Sequence, residues 1–275
     1  MKVLYLTFLL VFISCGGDDF PEQSELSGLR VLAITADTPE INSAATVSLT
    51  PLISFVDGGN TTLDYSWEAC PDPGIDFGAE LNCNSSPAAV KLSGSSTFAM
   101  GGLSGSYYTG NATNISIAVP SAVFTYLGTL NSDIQYNGLD YVVFITYSDQ
   151  GSDAVLKTVK RIKLSTKAGG NLNTNPSFGT IQYNGLNLVA YPSSEGMFTI
   201  SSPSNPETYD LQTNVGLRSF SEDMFISWYS STGEYLFNRT DVGENNTFTP
   251  RGSTGVFVAV YRDGRGGVAT EIIDF

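Results

Sequence analysis

The stretch LDYSWEA at residues 63–69 decides the fold class. Leu63, Tyr65, Trp67 and Ala69 fall on one side of an extended chain and Asp64, Ser66 and Glu68 on the other, because successive side chains of a strand point to opposite faces. A helix would scatter the same residues around its circumference. The period of two recurs before this stretch in Val47, Leu49, Ile53 and Phe55, and after it in Ile115, Ile117 and Val119 and in Tyr141, Val143 and Ile145. Asp-Gly-Gly, Asn-Gly and Gly-Ser clusters between the runs supply the turns. Only residues 121–130, with VFTYLG at their centre, compete as a short helical turn. The spacing predicts an all-β chain of half-buried antiparallel strands.

Residues 167–176, KAGGNLNTNP, carry Gly, Asn and Pro without apolar period and read as an interdomain linker. The alternation then resumes in Tyr209, Leu211, Val215 and Leu217, in Met224, Ile226 and Trp228, in Val256, Val258 and Val260, and in a last strand over 268–275. This divides the folded chain into 29–166 and 177–275. The halves echo each other: Ser66-Trp67 and Ser227-Trp228 each close an alternating strand, and Tyr147-x-Asp149 and Tyr261-x-Asp263 each precede a glycine-bearing turn or a returning strand. A Trp on a central strand with a hairpin of the last two strands resembles immunoglobulin-like sandwiches, in the fibronectin-like or PKD-like subtypes that lack an inter-sheet disulfide. The resemblance implies two tandem antiparallel β-sandwiches with Trp67 and Trp228 in their cores. From Trp67 to Tyr147 the first half is longer than the second by roughly 47 residues, an insertion on a rigid scaffold and a natural place for binding loops.

Upstream of the sandwiches, MKVLYLTFLLVFISC has a positive charge at Lys2 and an apolar run over 3–13, too short to cross a bilayer and of the length of an export signal. Its end, Phe12-Ile13-Ser14-Cys15, resembles a bacterial lipobox, with Phe12 where such motifs usually carry leucine. The resemblance is to bacterial lipoproteins bearing tandem immunoglobulin-like domains. It implies cleavage after residue 14, lipid on Cys15, and attachment to the outer membrane or cell surface, or facing the periplasm. Several acyl chains would make that attachment stable, where one would hold only marginally. Residues 15–28, polar and acidic after Cys15, read as a flexible tether.

Composition excludes several functions. The chain of 275 residues has no histidine, so it can build neither a Ser-His-Asp triad nor an imidazole-ligated metal site. Its 13 Lys+Arg against 27 Asp+Glu give a net charge of -14, which repels nucleic acid. No cofactor or metal motif is present. With Cys15 committed to lipid, Cys70 and Cys83 have one pairing left, a loop staple contributing on the order of 3 kcal/mol. Asp72, Asp76 and Glu80 lie in that loop as candidate binding residues, at spacings that do not fit a calcium loop. Tyr107 and Tyr108, in the glycine-rich GGLSGSYYTG, are candidate contact residues of the kind recognition loops use. Lys157, Lys160, Arg161, Lys163 and Lys167 cluster on the last strand of the first domain. They read either as protection of a sheet edge or as a patch for anionic lipid or an acidic partner.

The expected function is that of a lipid-anchored, non-enzymatic interaction or adhesion module. It would meet the membrane through its N-terminal lipid and a protein or glycan ligand through the Cys70–Cys83 insertion. The alternatives are a structural spacer of the envelope and a carbohydrate-active enzyme using a carboxylate pair.

Overall fold

A computed structural model describes residues 23–26, 28–55, 61–73, 81–100, 108–111, 114–150, 155–201, 203 and 205–275. The first sandwich contains β1 (Arg30–Ala36), β2 (Glu40–Ile41), β3 (Ala45–Phe55), β4 (Thr61–Pro71), β5 (Leu92–Met100), β6 (Tyr108–Asn111), β7 (Ile115–Val119), β8 (Leu139–Asp149) and β9 (Val155–Leu164). In one layer the long β3 carries β1 on one side and β6 and β7, end to end, on the other. The second layer runs β2-β9-β8-β4-β5, antiparallel except for the two-residue parallel contact of β2 with β9. The alternation predicted from sequence delivers the core: Val47, Leu49 and Ile53 of β3 and Ile115 and Ile117 of β7 meet Leu63, Tyr65 and Ala69 of β4 and Tyr141, Val143, Ile145 and Tyr147 of β8, all buried.

Within residues 121–130 the first seven fold as a helix and the rest as a turn. In α1 (Ser121–Leu127), Val123 and Leu127 lie one turn apart and are both buried in the first core, which fixes the helix more firmly than its short length could. A second short helix, α2 (Ser132–Asn137), follows it.

The second sandwich contains β10 (Thr180–Tyr183), β11 (Leu186–Asn187), β12 (Gly196–Ser201), β13 (Thr208–Thr213), β14 (Gly216–Ser221), β15 (Phe225–Ser230), β16 (Gly233–Tyr235), β17 (Arg239–Asp241), β18 (Asn246–Pro250), β19 (Val256–Arg262) and β20 (Val268–Asp274). Its layers run β11-β10-β12-β18-β16 and β17-β15-β19-β20. Strands β4, β8 and β9 therefore match β15, β19 and β20, and β3 with β7 matches β12 with β18, the pairing of immunoglobulin-like sandwiches. The second core is aromatic: the ring of Phe198 lies 5.1–6.0 Å from those of Trp228, Tyr235, Phe248 and Phe257. The 209–217 run expected as one strand instead bends at 214–215, giving the separate hairpin β13–β14 with Val215 and Leu217 exposed.

The two tryptophans differ. Trp228 is 1% exposed and donates its indole N–H to Thr240 Oγ1 at 2.9 Å. Trp67 packs on the first core and stays half-buried. Its indole lies across Gly94, opposite it on β5, where an added Cβ would come within 2.8 Å of the ring. The glycine provides the platform that a side chain would block.

A third apolar cluster joins the sandwiches. A bulge between Val31 and Ala33 inserts Leu32 as an extra residue. Leu32, Ala33 and Leu52 then face Val256, Val258, Val260 and Val268 of the second sandwich, all buried. Leu26 completes the cluster, because residues 24–26 run alongside β15, with Leu26 N–H donating to Ser230 O and Ser230 N–H to Ser24 O. The flexible tether expected to extend to residue 28 is therefore docked from its 23–26 segment onward, held by this backbone pairing and by burial of Leu26.

Candidate functional site

The seam beside this apolar cluster is polar, and Glu40 is its centre. Strand β2 pins Glu40 against β9 while Ile41 anchors the same two-residue strand in the first core. The Glu40 carboxylate is 1% exposed and accepts from Ser165 Oγ (2.6 Å) and Asn173 N–H (2.9 Å) while pairing with Lys167 Nζ (3.3 Å) and Arg265 Nη2 (3.3 Å). Four donors around one buried carboxylate compensate for its loss of water.

Arg265 reaches Glu40 from the β19–β20 turn, Asp263-Gly264-Arg265-Gly266-Gly267. It also pairs with Glu222 at 3.0 Å, and its guanidinium lies 4.3 Å over the Tyr209 ring. Burial raises the Glu222 carboxyl above its usual range, against the donated N–H of Glu207. The buried Asp263 carboxylate shapes the turn, accepting from the N–H groups of Arg265 and Gly267 and from Asn173 Nδ2. A Cβ at Gly267 would stand 2.1 Å from that carboxylate and 2.7 Å from Thr174 O, so glycine is what lets 173–175 approach the turn. Asn175 then spans the seam, donating to Ala36 O and accepting from Val268 N–H. The 167–176 segment, expected as a plain linker, buries Lys167 and Asn173 in this network.

Between the sandwiches lies a cleft of about 730 Å³. Its sides are β1 at Val31–Ile34, β9 at Thr158–Arg161 and β13 at Tyr209 and Leu211, with Phe225 and the β19–β20 turn at one end. The cations Lys160, Arg161, Lys163, Lys167, Arg262 and Arg265 border it, against the carboxylates Glu40 and Asp140. Lys160 is buried with its Nζ donating to Gly266 O at 2.6 Å. Burial pulls its ammonium down to about 8; Asp263 favours the charged form and Arg262 disfavours it. Arg262 donates to Ser227 Oγ and to Leu32 O, the carbonyl that the β1 bulge turns outward.

The sequence candidates are distributed as follows. Cys70 and Cys83 form a disulfide that covers the outer face of the β4–β8 pair in a small cluster with Val142 and Phe144. Asp76, Glu80, Tyr107 and Cys15 lie outside the described residues; Tyr108 starts β6, opposite Phe55. The five cations read as one patch do not share one surface. Lys160 and Lys167 are buried at the seam, and Arg161 and Lys163 sit at the cleft rim with Asp72 and Asp140, at 2.5–3.7 Å. Lys157 alone of the five is exposed without a described ion pair. Asp72 is thus brought to the basic cluster, whereas Glu40, Glu222, Arg262, Arg265, Asp263 and Asn173 were not singled out as site residues.

These features define a class: an all-β protein of two immunoglobulin-like sandwiches fastened across a charged seam, with a cationic cleft beside it. Among solved structures, the chain is similar to red sea bream transglutaminase (11% identity, 90% of this chain and 31% of that one, TM-score 0.28). It is also similar to a mutant of Salmonella alpha-2-macroglobulin (12% identity, 94% of this chain and 17% of that one, TM-score 0.28). The chain therefore spans under a third of either. No protein-family model matches the sequence, and no curated protein matches it. Among the described residues no helix is long and apolar enough to cross a membrane.

Proposed function

We propose that the chain is a lipid-anchored protein of the bacterial envelope or cell surface, acylated at Cys15, and that it acts as a non-enzymatic interaction module. It meets a protein or glycan partner in the cleft between its sandwiches rather than through the Cys70–Cys83 insertion, whose described part serves as a cover for one sheet. The observation that carries this reading is the charge of the cleft. Six of the 13 lysines and arginines border it, against two of the 27 carboxylates. In an acidic chain such a concentration focuses the field at one place, and crevices between domains are preferred binding sites. The two bordering carboxylates, Glu40 and Asp140, are both held by cations, which leaves them poorly placed for the acid–base work of a carboxylate-pair hydrolase.

Photocrosslinking in intact envelopes tests the reading. A photoreactive side chain at Val159, in the cleft wall, is expected to capture a partner that one at Leu236, outside the cleft, does not. Identical captures from both positions overturn the cleft as the contact site. Incorporation of labelled palmitate that is lost in Cys15→Ser tests the anchor.

A further inference from the structure

The docked segment 23–26 lies beside a loop that carries exposed apolar side chains. Arg30 donates through Nη1 to Glu25 O at 2.6 Å and through Nη2 to Gln23 O at 3.1 Å, and Asn238 Nδ2 donates to Gln23 Oε1. Immediately before Asn238 stand Leu236 and Phe237, 65% and 54% exposed. Among the described residues they are the two large exposed hydrophobics adjacent in sequence. Single exposed apolar residues are ordinary on a protein surface, whereas a group of them marks a contact surface.

A third residue joins them through the sheet register. Tyr235 of β16 pairs with Phe248 and Leu236 N–H donates to Thr247 O at 2.8 Å, while Met197 of β12 pairs with Thr247 from the other side. Leu236, Thr247 and Met197 therefore form one row across the sheet. Their neighbours along the strands, Tyr235, Phe248 and Phe198, are buried in the second core, so the row points outward, where Met197 is 48% exposed. The backbone that presents these side chains is held in place. Phe237 N–H donates to Asn246 Oδ1 at 3.1 Å and Asn246 Nδ2 donates back to Phe237 O at 2.6 Å, with Asn246 itself buried. Trp228 N–H donates to Asn238 O at 3.0 Å. The next outward row holds Glu234, Thr249 and Glu195, which limits apolar contact to a shallow rim.

What covers this surface follows from the chain upstream. Cys15 precedes Gln23 by eight residues, a reach of about 27 Å at full extension. With acyl chains on Cys15, that span keeps the Asn238 end of the second sandwich near the bilayer, at a high effective concentration of lipid. The chain's net charge of -14 disfavours an anionic headgroup layer, and three apolar side chains suit the uncharged boundary between headgroups and acyl chains. We infer that Leu236, Phe237 and Met197 form a shallow lipid-contacting surface that docks the second sandwich on the bilayer holding Cys15. This rests on the reading of Cys15 as acylated and adds a second point of attachment to it.

The test uses the chain from Cys15 onward, coupled through the Cys15 thiol to a maleimide lipid in phosphatidylcholine vesicles, with Cys70 and Cys83 in their disulfide. Coupling supplies the anchor independently of acylation in cells. A fluorescent amino acid at Leu236 is expected to lose emission when the vesicles carry a spin-labelled lipid, and one at Val155, an exposed apolar residue of the first sandwich, is expected to keep it. The loss is expected to persist at high salt and to disappear when Phe237→Ser and Met197→Ser remove the neighbouring apolar contacts. Both side chains are exposed, so the double variant is expected to keep the wild-type melting temperature. Equal quenching at Leu236 and Val155, or none at Leu236, overturns the surface. Quenching abolished by salt overturns apolar contact in favour of charge. Sedimentation of the uncoupled chain as a dimer that Leu236→Ser converts to monomer overturns the bilayer in favour of a second copy. Quenching at Leu236 with no palmitate on Cys15 in cells upholds the surface and overturns only the anchor, so the two failures are told apart.

Discussion

The seam between the sandwiches has two unlike halves, side by side. In one, Leu26, Leu32, Ala33 and Leu52 meet Val256, Val258, Val260 and Val268 in a buried apolar cluster. In the other, Glu40, Lys167, Arg265, Glu222 and Asp263 meet through charge-assisted hydrogen bonds at similar depth. Apolar contact is non-directional: it favours burial and tolerates a range of docking angles. A carboxylate with four donors from three separate segments is satisfied in one arrangement only. The apolar half therefore supplies adhesion, and the ionic half selects the orientation that leaves a cleft between the domains.

The difference can be broken most severely at Glu40. Glu40→Ala leaves Lys167 buried without its described counter-charge, while Arg265 keeps Glu222, and is expected to lower unfolding free energy by about 3–5 kcal/mol in urea titration. A loss under about 1 kcal/mol would mean that the ionic half contributes no more than a surface pair. In the apolar half, Leu52→Ala is expected to cost about 2–5 kcal/mol through lost burial and the cavity left behind, without changing the pH dependence of stability.

Lys160 sharpens the comparison because it is a buried cation bonded to a neutral carbonyl. The unfolded chain holds this proton up to about 10.5 and the folded chain releases it at about 8. Between those values the unfolded state binds more protons, so stability rises with pH across that window, and the cost of charging Lys160 is fully present below it. Relative to Lys160→Met, the wild type is expected to gain on the order of 3 kcal/mol between the two ends. Parallel pH profiles for the two proteins would place the ammonium in water. On the outer face of the first sandwich, replacing Cys70 and Cys83 together by alanine is expected to cost about 3 kcal/mol in urea titration. The smallest effect is expected from Arg161→Gln, at most about 1 kcal/mol in stability, since that side chain is 45% exposed.

Much of this was legible in the sequence. The alternation at 63–69 and its echo at Trp228 gave the strands, their inner faces and the two layers, because burial on one face is written directly into a period of two. The same rule, applied to LKTVKRIKL, puts Lys160 on the face of Leu156, Ile162 and Leu164 and Lys157 with Arg161 and Lys163, so grouping all five cations overlooked a signal that was present. The seat of Trp67 on Gly94 could not be read locally, because it depends on the pairing of β4 with β5. Glu40 was not legible: its role depends on Lys167, Asn173 and Arg265, up to 225 residues away, and a lone glutamate before an isoleucine carries no local mark of a buried pair. The β19–β20 turn looked like an ordinary hairpin connection, and it is one; its second use, as the arm that carries Arg265 across the seam, follows from docking alone.

Differential scanning calorimetry of the purified chain tests the central claim, that the two sandwiches are fastened into one cooperative unit. The account predicts one transition for the wild type, separating into two when Glu40→Ala and Leu52→Ala are combined. Two independent transitions in the wild type, unmoved by those substitutions, would contradict it.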